Sequence, residues 1–436
     1  MSHKNINQFE ITGELLLKNG RIVNPAQKLD VVKDIHIQNG KIAEIGLIES
    51  KSFPGRVVDC TDLVLAPGFF DMHVHLREPG QEEKETIESG CRAAMTGGFT
   101  GICTMPNTRP PIDSRSHIEF IIERAKGQLV EVFQSASITM GQNGETLTEM
   151  GDLAEAGAIA FTDDGHPVEK AGLFRRALEY AKMIGRVIID HAEEPSLSDG
   201  GVMNEGAVST ALGMNGICPL GEDIAVSRDI ALAEYVGTPI HIAHVSTAGA
   251  VKMIREAKTR GVRVSAETCP HYLTLTDEAV RSFDTNLKMN PPLRTKEDQA
   301  ALIQGLQDGT IDVISTDHAP HTLEDKEVEF NAASFGILGL ETSVGLILTH
   351  LLHQKKLSLE QIIERMSIHP RKVLALPEIR FEKGESANIT LLNPNREWIV
   401  DKKQFQSRSL NSPFNGWKLK GKAVGVIRGE KVYLES

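Results

Sequence analysis

Residues 158–194 read AIAFTDDGHPVEKAGLFRRALEYAKMIGRVIIDHAEE. A short apolar run (158–165) carries two acids near its end, a helix-like stretch (171–185) stops at a glycine, and a second apolar run (186–194) finishes in a histidine and acids. Strand, helix with a glycine stop, strand is one βαβ unit. The unit repeats in both directions. Toward the N-terminus lie GFFDMHVHL (68–76), GFTGICTMPN (98–107) and LVEVFQSASI (129–138); toward the C-terminus lie TPIHIAHVST (238–247), VRVSAETCP (262–270) and TIDVISTDHAPH (310–321). Helix-like stretches such as EEKETIESGCRAAMTGG, SHIEFIIERAKG, AGAVKMIREAKTRG and KEDQAALIQGLQDG separate them. Eight strands alternating with helices predict an α/β chain built on a parallel (β/α)8 TIM barrel. A doubly wound open sheet would not need eight repeats, and no G-x-G-x-x-G turn follows the first strand.

The two ends have a different texture. GELLLKNGRIVNP, KDIHIQNGKIAEIG and RVVDCTDLVLAPG are apolar runs punctuated by Asn-Gly and Pro, which is hairpin chemistry, and the pattern returns in GESANITLLN and GWKLKGKAVGVIRGEKVYL. Each end alone offers too few strands to bury a core. One small β-sandwich built from both termini is therefore expected, residues 1–66 and 380–436 flanking a barrel at 67–379.

The chain has 436 residues, of which 40% are apolar and 24% charged, the balance of an ordinary globular protein. Its 59 acids against 47 bases give a formal charge of −12, with no concentrated basic patch to suggest nucleic acid. Five scattered cysteines (Cys60, Cys91, Cys103, Cys218, Cys269) form no CxxC pair, which fits reduced thiols better than a disulfide framework. The N-terminal stretch lacks the layout of a signal peptide, and no run approaches the roughly 18 apolar residues that span a bilayer. A cytoplasmic location with no membrane partner is expected.

Catalytic side chains of a barrel come from the C-terminal ends of its strands, and the polar residues of these runs gather there. His73 and His75 stand two apart, on one face of an extended strand. Asp163 and Asp164 end the fourth run, His191 the fifth, His244 the sixth, and Asp317, His318 and His321 the eighth. Imidazoles and carboxylates converging from separate strands suit Zn(II), and six ligands exceed one tetrahedral site, so a binuclear centre is expected. Spacing alone leaves Asp163 and Asp164 equal as the carboxylate bridge. His241, three before His244, is expected to face the other way. His318 is a candidate partner behind a ligand, and the Gly-rich segment 199–221 is long enough to cover the barrel mouth.

At these residues the sequence resembles the amidohydrolase superfamily, specifically the dihydroorotases of the bacterial class I type. The motifs are D-M-H-V-H-L-R (71–77) followed by Glu78-Pro79-Gly80, and S-T-D-H-A-P-H-x4-K (315–326), together with M-P-N (105–107), F-T-D-D-G (161–165), M-N-E-G (203–206) and M-N-P-P-L-R (289–294). The likeness implies two zinc ions per subunit. By similarity, His73, His75 and Asp317 would hold one, His191 and His244 the other, with Asp164 the bridging carboxylate and Asp317 also the catalytic acid–base. It further implies that Arg77, Asn107 and His321 grip a substrate carboxylate, while Asn290 and the Phe335–Gly336 backbone meet the pyrimidine-ring portion. The implied reaction interconverts N-carbamoyl-L-aspartate and L-dihydroorotate plus water in pyrimidine (UMP) biosynthesis. The implied assembly is a homodimer, with aspartate transcarbamoylase as a further partner. Many amidohydrolases bridge their metals with a carboxylated lysine. The fourth run has none before Lys170, which argues against hydantoinase-type and allantoinase-type relatives, and the six ligand positions argue against an inactive scaffolding homologue.

Overall fold

The computed structural model describes residues 8–10 and 13–435. The middle of the chain forms eight parallel strands: β1 (Phe69–Val74), β2 (Phe99–Thr104), β3 (Glu131–Ala136), β4 (Ala158–Phe161), β5 (Val187–Asp190), β6 (Ile240–Ile242), β7 (Val264–Thr268) and β8 (Val313–Ile314). They pair in sequence order from β1 to β8. A parallel bridge between Val74 and His318, with the His75 N–H donating to His318 O at 2.9 Å, joins the two ends and closes the barrel. All eight apolar runs thus become barrel strands. Helices between them stop at glycines that take the left-handed conformation, as at Gly98, Gly185 and Gly309.

Phe70, Met72, Cys103, Ala160, Ile189, Ala243 and Val313 fill the barrel interior, so this end is a packed core and chemistry is left to the mouth. Val74 packs outward among the helices. Alternation along β1 therefore changes parity between Met72 and Val74, where pairing with β2 slips between Asp71 and Val74. That slip lets His73 follow Met72 inward and sends both His73 and His75 to the mouth.

The terminal strands form one nine-stranded sheet, in which Val64–Pro67 pairs with Asn388–Ile399 and so joins the two ends of the chain. Leu15, Leu17, Ile35 and Ile37 share a core with Ile389, Leu391, Ile427 and Val432, so the sheet folds over into two packed layers. The two Asn-Gly pairs part company. Asn39 (φ 49°) and Gly40 (φ 72°) make the tight turn of a hairpin. Asn19 (φ 60°) and Gly20 instead form a bulge inside the continuous strand Glu14–Asn24, where a Cβ on Gly20 would stand 2.5 Å from Leu65 Cδ1.

Residues 199–221 are not an irregular loop. Met203–Asn204 pairs with Gly216–Ile217 around a short helix, Ala207–Leu212. Buried Arg294 ties the unit down through Asn204 Oδ1 (2.9 Å) and Ile217 O (3.0 Å). The M-N-E-G and M-N-P-P-L-R motifs are therefore two halves of one contact. No helix among the described residues is long and apolar enough to cross a membrane.

Candidate metal centre and substrate pocket

Four imidazoles surround one carboxylate at the mouth. Asp164 Oδ1 lies 3.3 Å from His73 Nε2, 3.4 Å from His244 Nε2 and 3.9 Å from His191 Nδ1, and Asp164 Oδ2 lies 3.5 Å from His75 Nε2. Asp317 Oδ1 closes the cluster, 3.0 Å from His75 Nε2 and 3.6 Å from His73 Nε2. All six are buried. Asp163 turns away: its carboxylate accepts the backbone N–H groups of Ile138 (2.7 Å) and Thr139 (3.1 Å) and the Thr139 hydroxyl, fixing the loop after β3. Tertiary structure thus separates two neighbours that spacing could not.

Two sets of ligand atoms, His73–Asp164–His244 and His73–His75–Asp317, each lie within 4.8 Å of one another. His73 belongs to both, and His191 joins through Nδ1, 2.9 Å from His244 Nε2. His73 Nε2 and Asp164 Oδ1 are fully buried with no hydrogen-bond partner. Buried polar atoms left unpaired are costly unless an ion or water satisfies them. Imidazole and carboxylate donors pointing at common centres fit a borderline cation such as zinc.

The electrostatics say the same. Burial would lower the His73 pKa, yet Asp164 and Glu267 raise it well above the ordinary value. His191 is likewise pushed up to about 9 by Glu193 and Asp164 against burial. Burial opposes ionisation of Asp164 and Asp317, but the surrounding imidazoles hold Asp164 well below the usual carboxylate range and Asp317 at about 2. The cluster is built to enclose positive charge.

Three residues here adopt left-handed backbone: Arg77 (φ 62°), His244 (φ 31°) and Asp317 (φ 49°). That conformation is uncommon for residues other than glycine and gathers at turns and at functional sites. At His244 it also explains an error of simple alternation. β6 ends at Ile242, so strand parity does not extend to His244, and His241 faces the barrel interior and not outward. It is fully buried, with Nδ1 2.8 Å from Ser265 Oγ and Nε2 3.4 Å from Glu267 Oε2.

Glu267 was not among the residues expected from the sequence. Its Oε1 accepts from His73 Nδ1 at 2.6 Å, and Ser315 Oγ donates to its Oε2 at 2.5 Å. An acid inside the apolar run 262–270 was the legible signal. Glu193 plays a similar part for His191, accepting from Nε2 at 3.0 Å, and is held at about 2 by that imidazole despite burial. Asn107 Oδ1 accepts from His75 Nδ1 at 2.8 Å. His318 points away from the cluster: Nδ1 accepts the Gly339 N–H (3.2 Å) and Nε2 faces Glu85 (3.4 Å).

Beside the imidazoles sits a second group. Arg77 is buried, and burial pulls its pKa down to about 10; its Nε donates to Pro320 O (3.2 Å) and its guanidinium lies 3.4 Å from His321 Nε2. His321 donates from Nε2 to Phe335 O (2.7 Å), and burial with nearby Arg77 keeps the ring neutral, its pKa pushed down to about 2. A Cβ on Gly336 (φ 130°) would come within 3.1 Å of His321 Nε2, so only glycine fits. Asn290 stands on the other side, donating to Glu193 Oε2 at 3.2 Å. A cavity of about 390 Å3 opens along Gly165, His166 and Glu193. A larger one, about 680 Å3, lies at the opposite barrel end around Lys182, Thr238 and Val373, away from these groups.

Comparison with known proteins agrees with this geometry. A family model described as dihydro-orotase-like matches residues 62–250. A dihydroorotase of Syntrophus aciditrophicus is 52% identical over 425 residues, 97% of this chain and 100% of that one. The chain belongs to the dihydroorotase family. Another family member, from Pelotomaculum thermopropionicum, is 50% identical over 97% of this chain and 99% of its own. Among solved structures, the L-hydantoinase (dihydropyrimidinase) of Arthrobacter aurescens superposes with a TM-score of 0.87 at 26% identity, covering 97% of this chain and 96% of that one. A dihydropyrimidinase of Brevibacillus agri shares the fold at a TM-score of 0.83 and 22% identity, over 97% and 95%. The dihydroorotase family thus shares its fold with the hydantoinases, and the residues at the mouth must tell them apart.

Proposed function

We propose that this chain is a zinc-dependent dihydroorotase, closing N-carbamoyl-L-aspartate to L-dihydroorotate plus water and running the reverse. The observation that carries the reading is the place of Asp164, within 3.3–3.9 Å of four imidazoles. A hydantoinase reading, suggested by the fold neighbours, asks for a bridging lysine. Lys170, the first beyond β4, lies at the surface paired with Glu145 at 2.5 Å.

His73, His75 and Asp317 would hold one zinc and His191 with His244 the other, Asp164 standing between. Zinc bound there would polarise the amide carbonyl and acidify water near neutral pH. The protein's own groups do the rest. Arg77 presents a fork that suits two-point capture of the carboxylate retained by both substrates. His321 and Asn107 border that end, the one N–H of neutral His321 being held by Phe335 O until a carboxylate competes for it, while Asn290 and the Phe335–Gly336 backbone face the ring. Asp317 is ionised and lies against the imidazoles, so in ring opening it accepts a proton from water and delivers it to the leaving ring nitrogen. In closure it does the opposite, because both directions share one path. Closure turns two substrate carboxylates into one and consumes a proton, so lower pH favours synthesis.

By family likeness alone, we further propose a cytoplasmic homodimer with aspartate transcarbamoylase as a candidate partner. Turnover of both substrates, together with metal analysis of the purified protein, tests the assignment. Turnover in both directions that Asp317→Asn abolishes supports it. Hydantoin hydrolysis in place of dihydroorotate hydrolysis, or near-normal turnover by Asp317→Asn, overturns it.

A further inference from the structure

The S-T-D-H-A-P-H-x4-K motif ends at Lys326, which takes no part in the chemistry above. The residue is 4% exposed. The ammonium donates to Thr285 O (3.0 Å), Lys288 O (3.2 Å) and Ser334 O (2.6 Å). Burial and nearby Lys288 pull its pKa down to about 7, and in the charged form its three protons match the three backbone carbonyls. Burying a cation is expensive, and a well-packed apolar side chain would be the cheaper way to fill the same space. What the cation adds is a junction among three backbone points that nothing apolar could join.

Two of those points border the ring side of the mouth. Ser334 directly precedes Phe335–Gly336, and Lys288 is two residues before Asn290. Other bonds reinforce the same seam. The Gly336 N–H donates to Lys288 O (2.9 Å), Thr285 Oγ1 to Lys326 O (2.5 Å), and Lys288 Nζ to Asn331 O (2.9 Å). The Lys288 ammonium also lies 4.5 Å from the centre of the Phe335 ring. Segments 285–290 and 326–336 are thereby locked as one body on the side of the mouth assigned to the pyrimidine ring.

We propose that Lys326 is a positioning residue, clamping these two segments so that Asn290 and the Phe335–Gly336 backbone meet the substrate ring in one fixed register. The role rests on the dihydroorotase reading and adds to it the device that sets ring recognition. Lys326 touches neither the imidazole cluster nor Arg77. The metal content therefore does not depend on it, whereas the carboxylate end feels it only through Phe335 O, on which His321 rests.

Two variants of the metal-loaded full-length protein test this, Lys326→Met without the ammonium and Lys326→Arg with a cation restored. Hydrogen exchange of the amides in 285–290 and 331–336 reads the clamp without reference to catalysis. Lys326→Met is expected to keep wild-type metal content and to speed exchange in those two segments at least tenfold, with exchange elsewhere unchanged. Its kcat/KM for dihydroorotate should fall about 100-fold, the scale of a misplaced substrate, and Lys326→Arg should recover part of both losses. Unchanged exchange in Lys326→Met, or faster exchange spread across the whole barrel, overturns the clamp. So does failure of both variants to fold, since the role is local. If the wild type turns over neither substrate, the dihydroorotase reading falls by itself, and the exchange measurement still decides the clamp.

Discussion

His73 Nδ1 stands 2.6 Å from Oε1 of Glu267, both side chains fully buried, and this contact turns the other ring nitrogen, Nε2, to the mouth. Carboxylates behind ligating imidazoles fix the tautomer and raise its basicity. Burial would favour a neutral Glu267, but His73 and His241 hold it well below the usual range. Glu267→Gln keeps the shape and removes the charge. Metal affinity, measured by competition with a chelator, should drop about 10–100-fold. An unchanged affinity would reduce Glu267 to packing.

The neighbouring aspartates should separate cleanly. Asp164→Ala should lose metal, because it removes the carboxylate all four imidazoles share. Asp163→Ala should retain metal but destabilise the fold by about 3 kcal/mol, since buried N–H groups at Ile138 and Thr139 lose their acceptor. Metal analysis and thermal melting of the two variants check this, and the reverse ranking would refute it.

An encoded carboxylate needs no carbon dioxide. Metal-free protein given Zn(II) in CO2-depleted buffer should regain as much activity as in bicarbonate. A strict bicarbonate requirement would mean that a modified lysine, and not Asp164, bridges the site.

Metal uptake should release protons. Without metal, His73 is raised well above its ordinary value and His191 to about 9, so both carry protons at pH 7, whereas a ligating imidazole must be neutral. Titrating metal into weakly buffered metal-free protein should therefore acidify the solution at pH 7, and less so once pH passes about 9. No acidification at pH 7 would show these rings to be already neutral.

Arg77→Met should lower kcat/KM about 100-fold by removing a charge-assisted fork. Asn107→Ala should act in the same direction more mildly, through a neutral bond and a looser His75. Unchanged kinetics for Arg77→Met would place the substrate elsewhere.

The sequence by itself determined the barrel, because eight apolar runs separated by glycine-stopped helices have one economical packing. It also determined the chemical kind of site, since His and Asp cluster at the strand ends and the S-T-D-H-A-P-H-x4-K motif is specific. Spacing left Asp163 and Asp164 equal, family likeness pointed to Asp164, and only the tertiary structure supplies the physical reason. The two are adjacent and alike, and their difference lies in the partners supplied by other strands, the amides after β3 for one and four imidazoles for the other. It likewise brought His241 inward, because a strand that stops at Ile242 no longer dictates where residue 244 points. Glu267 and Lys326 needed the fold for the same reason. A buried charge takes its meaning from the groups that satisfy it, and those lie about 190 residues away for Glu267 and His73 and about 40 for Lys326 and Thr285, beyond the reach of any local pattern.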